Sequence, residues 1–356
     1  MGVKLSKTSY LTASAIFLLA ALAALRLGAT DKTAEKTANA PATVNIFSYR
    51  QPFLIEPLFD EFTDQTGIQV KTVFASKGLI ERVALEGERS PVDVVLTKNF
   101  HHMERAGKTI AQPVKSDVLT AHIPPALRDM ENHWFALTQR ARVLFVSKER
   151  VSETRISYES LADPKWRGRL CMRSGQHPYN LSLFAALLTH YGEDWTQNWL
   201  EGVKANLASR PAGNDRAQVK QVFAGKCDVA LANTYYMGKM LDNTQKPEQK
   251  EWADTVRLVF PTGQGFGTHV NVSGMIMTKH APNPEAARKF MEFMVSEKAQ
   301  KIYAETNYEY PARKSVAAGA LVAGWGDLQA DTTPLSKIAE NYEKASLLID
   351  RVGFDD

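Results

Sequence analysis

Two adjacent tyrosines, Tyr235 and Tyr236, end the stretch Leu231-Ala232-Asn233-Thr234-Tyr235-Tyr236. A phenol can present a hard, anionic oxygen. Val229-Ala230-Leu231 before them reads as a strand closing in a polar turn. Neighbours on an extended strand face opposite sides, but at a strand exit the chain bends and both phenols can turn toward one point. Two phenolates converging there suit a hard, highly charged cation, and ferric iron fits that description. The plain alternative is a pair of ordinary half-buried aromatics. A third phenol, Tyr179, follows the strand-like Arg169-Leu170-Cys171-Met172. Open α/β sheets place ligands beyond the carboxyl ends of their strands, so Tyr179 and the pair leave the same unit on the same side. A phenol ordinarily loses its proton near pH 10. A trivalent cation favours the ionised form, and three phenolates would neutralise it.

Six-coordinate iron needs further oxygens, from water, a small anion or the opposite side of a cleft. Arg50, Arg140 and Arg142 are candidates to hold an anion, because guanidinium binds planar oxyanions through two N–H groups; the alternative for each is an ion pair. His101-His102 diverge if helical and read as a solvated face rather than a metal pair. His177, two residues before Tyr179, is a neighbour of the site rather than a ligand, and Tyr308 and Tyr310 read as packing residues. The sequence shows no Ser/His/Asp set, no phosphate-cradling glycine loop and no zinc spacing. Such groups can lie far apart in sequence, so this counts only weakly against catalysis; the expectation is a protein that is not an enzyme.

The elements that must position these groups alternate. Residues 44–49 alternate apolar and polar, as a strand does. A helix follows Pro57 and stops at Gly67. Residues 68–74 form a second strand, 77–88 a helix and 91–96 a buried strand. This order predicts a largely parallel, doubly wound sheet. A second unit spans about 167–235: a short strand at 169–172, helices at 181–191 and 195–207, a helix opened by Asp215 with Gln218 as a capping-box variant, and a strand at 227–231. Residues 141–146 read as a strand crossing between the units and 270–277 as the crossing back. Asn283 and Pro284 then start a helix. The sum is an α/β clamshell, each lobe a sheet flanked by helices, hinged on two crossing strands. Residues 43–140 with about 270–315 form one lobe; 141–269 with about 316–356 form the other.

The chain has 356 residues, 23% charged and 44% hydrophobic, an ordinary globular balance for two domains. Its formal charge of +4 includes Lys4, Lys7 and Arg26 in an N-terminal segment without acids. Removing residues 1–30 leaves +1, which gives no case for nucleic-acid binding. Lys4 and Lys7 precede the apolar run 11–25, the pattern of an export signal and short for a membrane span. Cleavage near Ala29 or retention as an anchor both remain open, and 31–42 reads as a linker. Cys171 and Cys227, the two cysteines of an exported chain, suggest one disulfide.

These features resemble the periplasmic ferric-ion-binding proteins of bacterial ABC importers. The matching stretches are Tyr49-Arg50-Gln51-Pro52-Phe53-Leu54-Ile55, Leu161-Ala162-Asp163-Pro164-Lys165-Trp166-Arg167-Gly168, Gly213-Asn214-Asp215, Ala232-Asn233-Thr234-Tyr235-Tyr236, Gly267-Thr268-His269-Val270-Asn271 and Asn307-Tyr308-Glu309-Tyr310-Pro311. The resemblance implies a two-lobe, type II-like periplasmic binding protein with Tyr179, Tyr235 and Tyr236 as iron ligands. Some members add a His and a Tyr after the first strand, where this chain holds Gln51 and Pro52. That departure favours three tyrosines completed by water or an anion such as carbonate, with Tyr49 and Gln51 at the margin and Arg140 and Arg50 beside the anion. Lys98-Asn99 stands where relatives often carry an acid. The implied partner is an inner-membrane ABC permease, and the implied state a periplasmic monomer. The alternatives are a receptor for another small anion or organic solute, an exported iron-dependent enzyme, and a membrane-tethered structural or sensory protein.

Overall fold

The structure is a computed structural model, described for residues 41–356; the expected export signal at 1–30 and nearly all of the linker lie outside the described residues. The first strand, β1 (Thr43–Ser48), leads into α1 (Pro52–Thr66), β2 (Gln69–Phe74), α2 (Leu79–Glu86), β3 (Val94–Thr97) and α3 (Phe100–Thr109). β1 pairs in parallel with both β2 and β3, as the alternating order requires. Helix α1 starts earlier than expected. Pro52 takes its first position, where its missing N–H costs nothing, and Pro57 is accommodated inside the helix. Gly67 ends it at φ +70°, its N–H reaching Thr63 O at 2.8 Å.

A long strand, β4 (Trp134–Ser147), comes next, then β5 (Leu170–Cys171), α4 (Pro178–Tyr191), α5 (Glu193–Asn206), α6 (Asp215–Phe223), β6 (Val229–Asn233) and α7 (Tyr235–Leu241). β7 (Val256–Val259), β8 (Val270–Met277), α8 (Pro284–Met294), α9 (Glu297–Asn307), β9 (Tyr310–Pro311) and α10 (Tyr342–Val352) complete the major elements. The strand order is β2-β1-β3-β8-β4-β6-β5, with β7 and β9 also on β4. The expected largely parallel sheet is mixed instead. β5 and β6 are parallel, but β8 runs antiparallel to β3 and β4, and β4 runs antiparallel to β6 and β7.

β4 explains this difference. The expected strand 141–146 is the second half of a 14-residue strand. Its first half, through Ala141, pairs with β8; from Arg142 onward it pairs with β6 and β7. One strand thus serves two ladders. β8 matches its expected span but lies wholly in the first ladder. The return crossing comes just before it, at His269, whose carbonyl accepts the Arg142 N–H at 2.9 Å.

The core strands are apolar on both faces because helices cover both; Val94, Val95 and Leu96 in β3 are fully buried. Two local expectations are corrected. Asn214, not Asp215, caps α6, its side chain accepting the Ala217 N–H at 3.1 Å; Asp215 is turned inward. Asn283 occupies the N-cap position of α8 but makes no side-chain cap bond; its amide donates to Asp93 Oδ2 at 3.1 Å. Cys171 and Cys227 form the expected disulfide, tying β5 to the chain entering β6. Among the described residues no helix is long and apolar enough to cross a membrane.

Candidate metal centre

Tyr235 and Tyr236 stand at the exit of β6, as expected, but as the first two residues of α7 rather than in a turn, directly after Thr234. Their rings stack at 4.3 Å and 30°. Tyr179 occupies the first turn of α4. Pro178 starts that helix and His177 caps it, its Nδ1 accepting the Tyr179 N–H at 3.2 Å. The His177 ring meets the Tyr179 ring edge-on at 4.5 Å, and burial followed by nearby Arg173 pushes its imidazole down to about 3. It is therefore a neutral acceptor at pH 7. The Tyr179 and Tyr235 hydroxyls lie 3.1 Å apart, one donating to the other. The three phenols expected to converge border one cleft of about 280 Å³.

A buried anchor sets that convergence. Arg142, 2% exposed, donates from Nη1 to Asp215 at 2.9 Å and Asn233 at 3.2 Å, and from Nη2 to Asn180 at 2.6 Å. Asp215 also accepts from Arg173 at 3.2 Å. Asn180 is the residue after Tyr179, and Asn233 ends the strand leading to Tyr235. One guanidinium thus joins α4, α6 and β6. Its donors are committed, so Arg142 is not an anion holder.

Arg50 donates to Glu309 at 3.5 Å and sits over the Tyr303 ring at 5.3 Å, the ion-pair alternative. Arg50 also borders the cleft with a buried Nε that has no partner among the described residues, and Arg140 shares both features. Arg140 Nη2 donates to the Lys98 carbonyl and to Asn271 Oδ1, but its buried Nη1 has no partner among the described residues, and the residue borders the cleft. Tyr49 and Gln51 border the cleft too; the Tyr49 hydroxyl accepts the Ile80 N–H at 2.9 Å. His101 and His102 do not border it. They are half-buried rather than solvated, because the Tyr342 ring stacks on His101 at 3.8 Å.

The site is polarised. The guanidinium carbons of Arg173, Arg140 and Arg142 lie 5.4, 5.7 and 6.0 Å from the Tyr179 ring centre. Lys239 Nζ lies 5.0 Å from that of Tyr235, and Arg216 lies 5.9 Å from that of Tyr236. Burial, then the neighbouring phenols, raises Tyr235 well above 10; burial and Asp215 raise Tyr236. Both keep their protons at neutral pH. Burial pushes the Lys239 ammonium down to about 8, against the pull of Glu309. Among the described residues no three His, Cys, Asp or Glu side chains cluster as a metal site.

Sequence reasoning missed Lys239, Arg216 and Glu309 as cleft residues. Lys239 is four residues after Tyr235, the same helix face, but recognising this needs the helix start at Tyr235. Glu309 follows Tyr308, a left-handed residue (φ 56°) closing α9. The Tyr308 ring lies flat over Gly238 of α7: a Cβ there would fall 2.3 Å from the ring. Its hydroxyl donates to Asp242. The segment carrying Glu309 therefore leans directly on the helix carrying the tyrosine pair.

Residues 89–323 match the family described as bacterial extracellular solute-binding protein. The chain is 42% identical to iron uptake protein A1 of Synechocystis over 314 residues, 87% of each chain. Two solved structures superpose with a TM-score of 0.84, covering 88% of this chain and 100% of theirs. One is a Bordetella ferric binding protein at 44% identity; the other is a Trichodesmium protein in complex with iron and citrate ligands, at 40%. The two-lobe α/β architecture is common to them. With its fold, its cleft and these likenesses in agreement, the chain belongs to the bacterial extracellular solute-binding proteins.

Proposed function

We propose that this chain is a periplasmic receptor for Fe(III) that delivers the ion to an inner-membrane ABC permease, carrying iron as cargo rather than using it in catalysis. The observation that carries the reading is the meeting of Tyr179 and Tyr235 hydroxyls at 3.1 Å, with Tyr236 stacked alongside in one cleft. The likeness to an iron uptake protein and to a ferric binding protein supports it.

Tyr179, Tyr235 and Tyr236 bind iron as phenolates. Their cost of ionisation is offset by the ion's charge and eased by the surrounding cations. Arg140, through its unpartnered Nη1, holds an oxyanion or water that completes the coordination, with Arg50 and Gln51 at the margin. Residues 43–140 with about 270–315, and 141–269 with about 316–356, act as lobes. They turn about the β4 handover at Ala141 and Arg142 and the return at His269. Closure excludes water and strengthens each charge interaction inside. The protein works as a monomer.

The test is titration of iron-free protein with ferric citrate. A phenolate-to-iron charge-transfer band should appear in the visible range and reach one iron per chain, and Tyr236→Phe should weaken it. The cations bordering the cleft favour one second reading, a receptor for a small organic anion. A protein that stays colourless and binds such an anion without iron would establish that reading instead.

A further inference from the structure

Beside the iron cleft, on the outer side of α6, lies a second groove of about 370 Å³. Arg216 borders both cavities. The groove also presents Lys220, Lys246, Asn214, Gln249 and Trp252, and among the described residues no carboxylate borders it. Its cations form no ion pair among the described residues. Arg216 donates to the Gln249 amide at 3.5 Å, and Lys220 sits over the Trp252 ring at 5.2 Å. Lys246 is held in place by its own turn, its N–H donating to Asn243 Oδ1 at 3.0 Å. Lys220 and Lys246 are exposed and Arg216 is half-buried, so positive charge runs from solvent to the Tyr236 ring without a break.

The cleft continues that path with Arg50, Lys98, Arg140 and Lys239, against Glu309 alone. The two cavities together hold seven cations and one carboxylate. The whole chain carries only +4, three of which lie in the N-terminal segment. The charge is therefore concentrated at this face. Bare ferric ion would be repelled by such a path. A ferric complex wrapped in carboxylates, which carries net negative charge, would be drawn along it.

We propose that the Arg216–Lys220–Lys246 groove is a receiving site for anionic, polycarboxylate-bound iron, which docks there before the metal passes to the tyrosines. The proposal rests on the ferric-receptor reading and specifies the form in which the cargo arrives. The groove acts on the encounter and not on the final coordination. Clustered charge of one sign raises association rates by about 10- to 1,000-fold, an effect that falls steeply with salt.

The experiment is stopped-flow growth of the phenolate-to-iron band with two iron sources, ferric citrate and the uncharged ferric tris(acetohydroxamate), from 10 to 200 mM salt. The wild-type chain is compared with Lys220→Gln/Lys246→Gln. The expected result with ferric citrate is association about fivefold or more slower at low salt in the variant, with a flatter salt dependence. The final band should be unchanged, as should the rate with the uncharged complex. Equal rates with ferric citrate in both proteins would overturn the proposal, as would equal slowing with both iron sources. A wild-type protein that takes iron from neither source and develops no band would instead defeat the receptor reading.

Discussion

Replacing Tyr235 by Phe removes one oxygen and keeps the ring that packs on Tyr236. In the iron-free protein the Tyr235 phenol is protonated, since burial beside Tyr179 and Tyr236 raises it well above 10. At pH 7, ionising a group with a pKa of 10 costs about 4 kcal/mol, at about 1.4 kcal/mol per unit; for Tyr235 the cost is larger. Iron bound by this phenolate must therefore expel its proton. Each proton expelled makes the binding constant rise tenfold per pH unit, so affinity increases with pH. Tyr235→Phe should release one proton fewer per iron and flatten the pH dependence by about 1.4 kcal/mol per unit. It should also weaken binding by more than the roughly 100-fold that loss of an outer partner costs. The assay is proton release on adding ferric citrate at weak buffering between pH 6 and 8, with the variant's titration subtracted so that the chelator's own protons cancel. If the variant releases as many protons as the wild type and shows the same visible band, Tyr235 is not a ligand and the three-phenol reasoning fails.

Two further outcomes follow from the framework around the phenols. Arg142→Gln leaves Asp215 buried with only Arg173 as a charged partner. Breaking a buried pair of this kind costs about 3–5 kcal/mol, measured by urea unfolding of the iron-free chain; a loss below about 1 kcal/mol would show that Arg142 is not the anchor. Replacing Cys171 and Cys227 by Ser opens a loop with a sequence separation of 56. The chain-entropy relation gives about 4 kcal/mol of lost stability, and unfolding midpoints that match the wild type's would contradict it.

Local features were legible in the amino-acid sequence where local chemistry decides them. β8 occupies its expected residues, Gly67 and Pro284 stand at helix ends, the two cysteines pair, and the three tyrosines meet at one cleft. What escaped depends on distant partners. Arg140 and Arg142 interrupt the apolar pattern of β4, yet both are buried. Arg142 is satisfied by Asn180, Asp215 and Asn233, which lie 38, 73 and 91 residues away. The polar run Thr138-Gln139-Arg140 hides the first half of the strand, and only the apolar second half is legible. The mixed pairing escaped for a related reason, since direction is set by which strands meet across the sheet. α7 is seven residues long with no side-chain cap at Thr234; without a start signal Tyr235 and Tyr236 read as a turn, and Lys239 stayed hidden. His101 is covered only because Tyr342 returns from the far end of the chain.

The bare backbone of Gly238 has a mechanical meaning. Tyr308 presses its ring where even a methyl group would collide, while the next residue, Glu309, borders the cleft with its carboxylate held by Arg50, Asn307 and Thr138. In the proposed closure of the two lobes this contact would act as a stop. One aromatic ring thus spaces the segment carrying Glu309 from the helix carrying the tyrosine pair, and a bulkier residue at 238 would push the two apart.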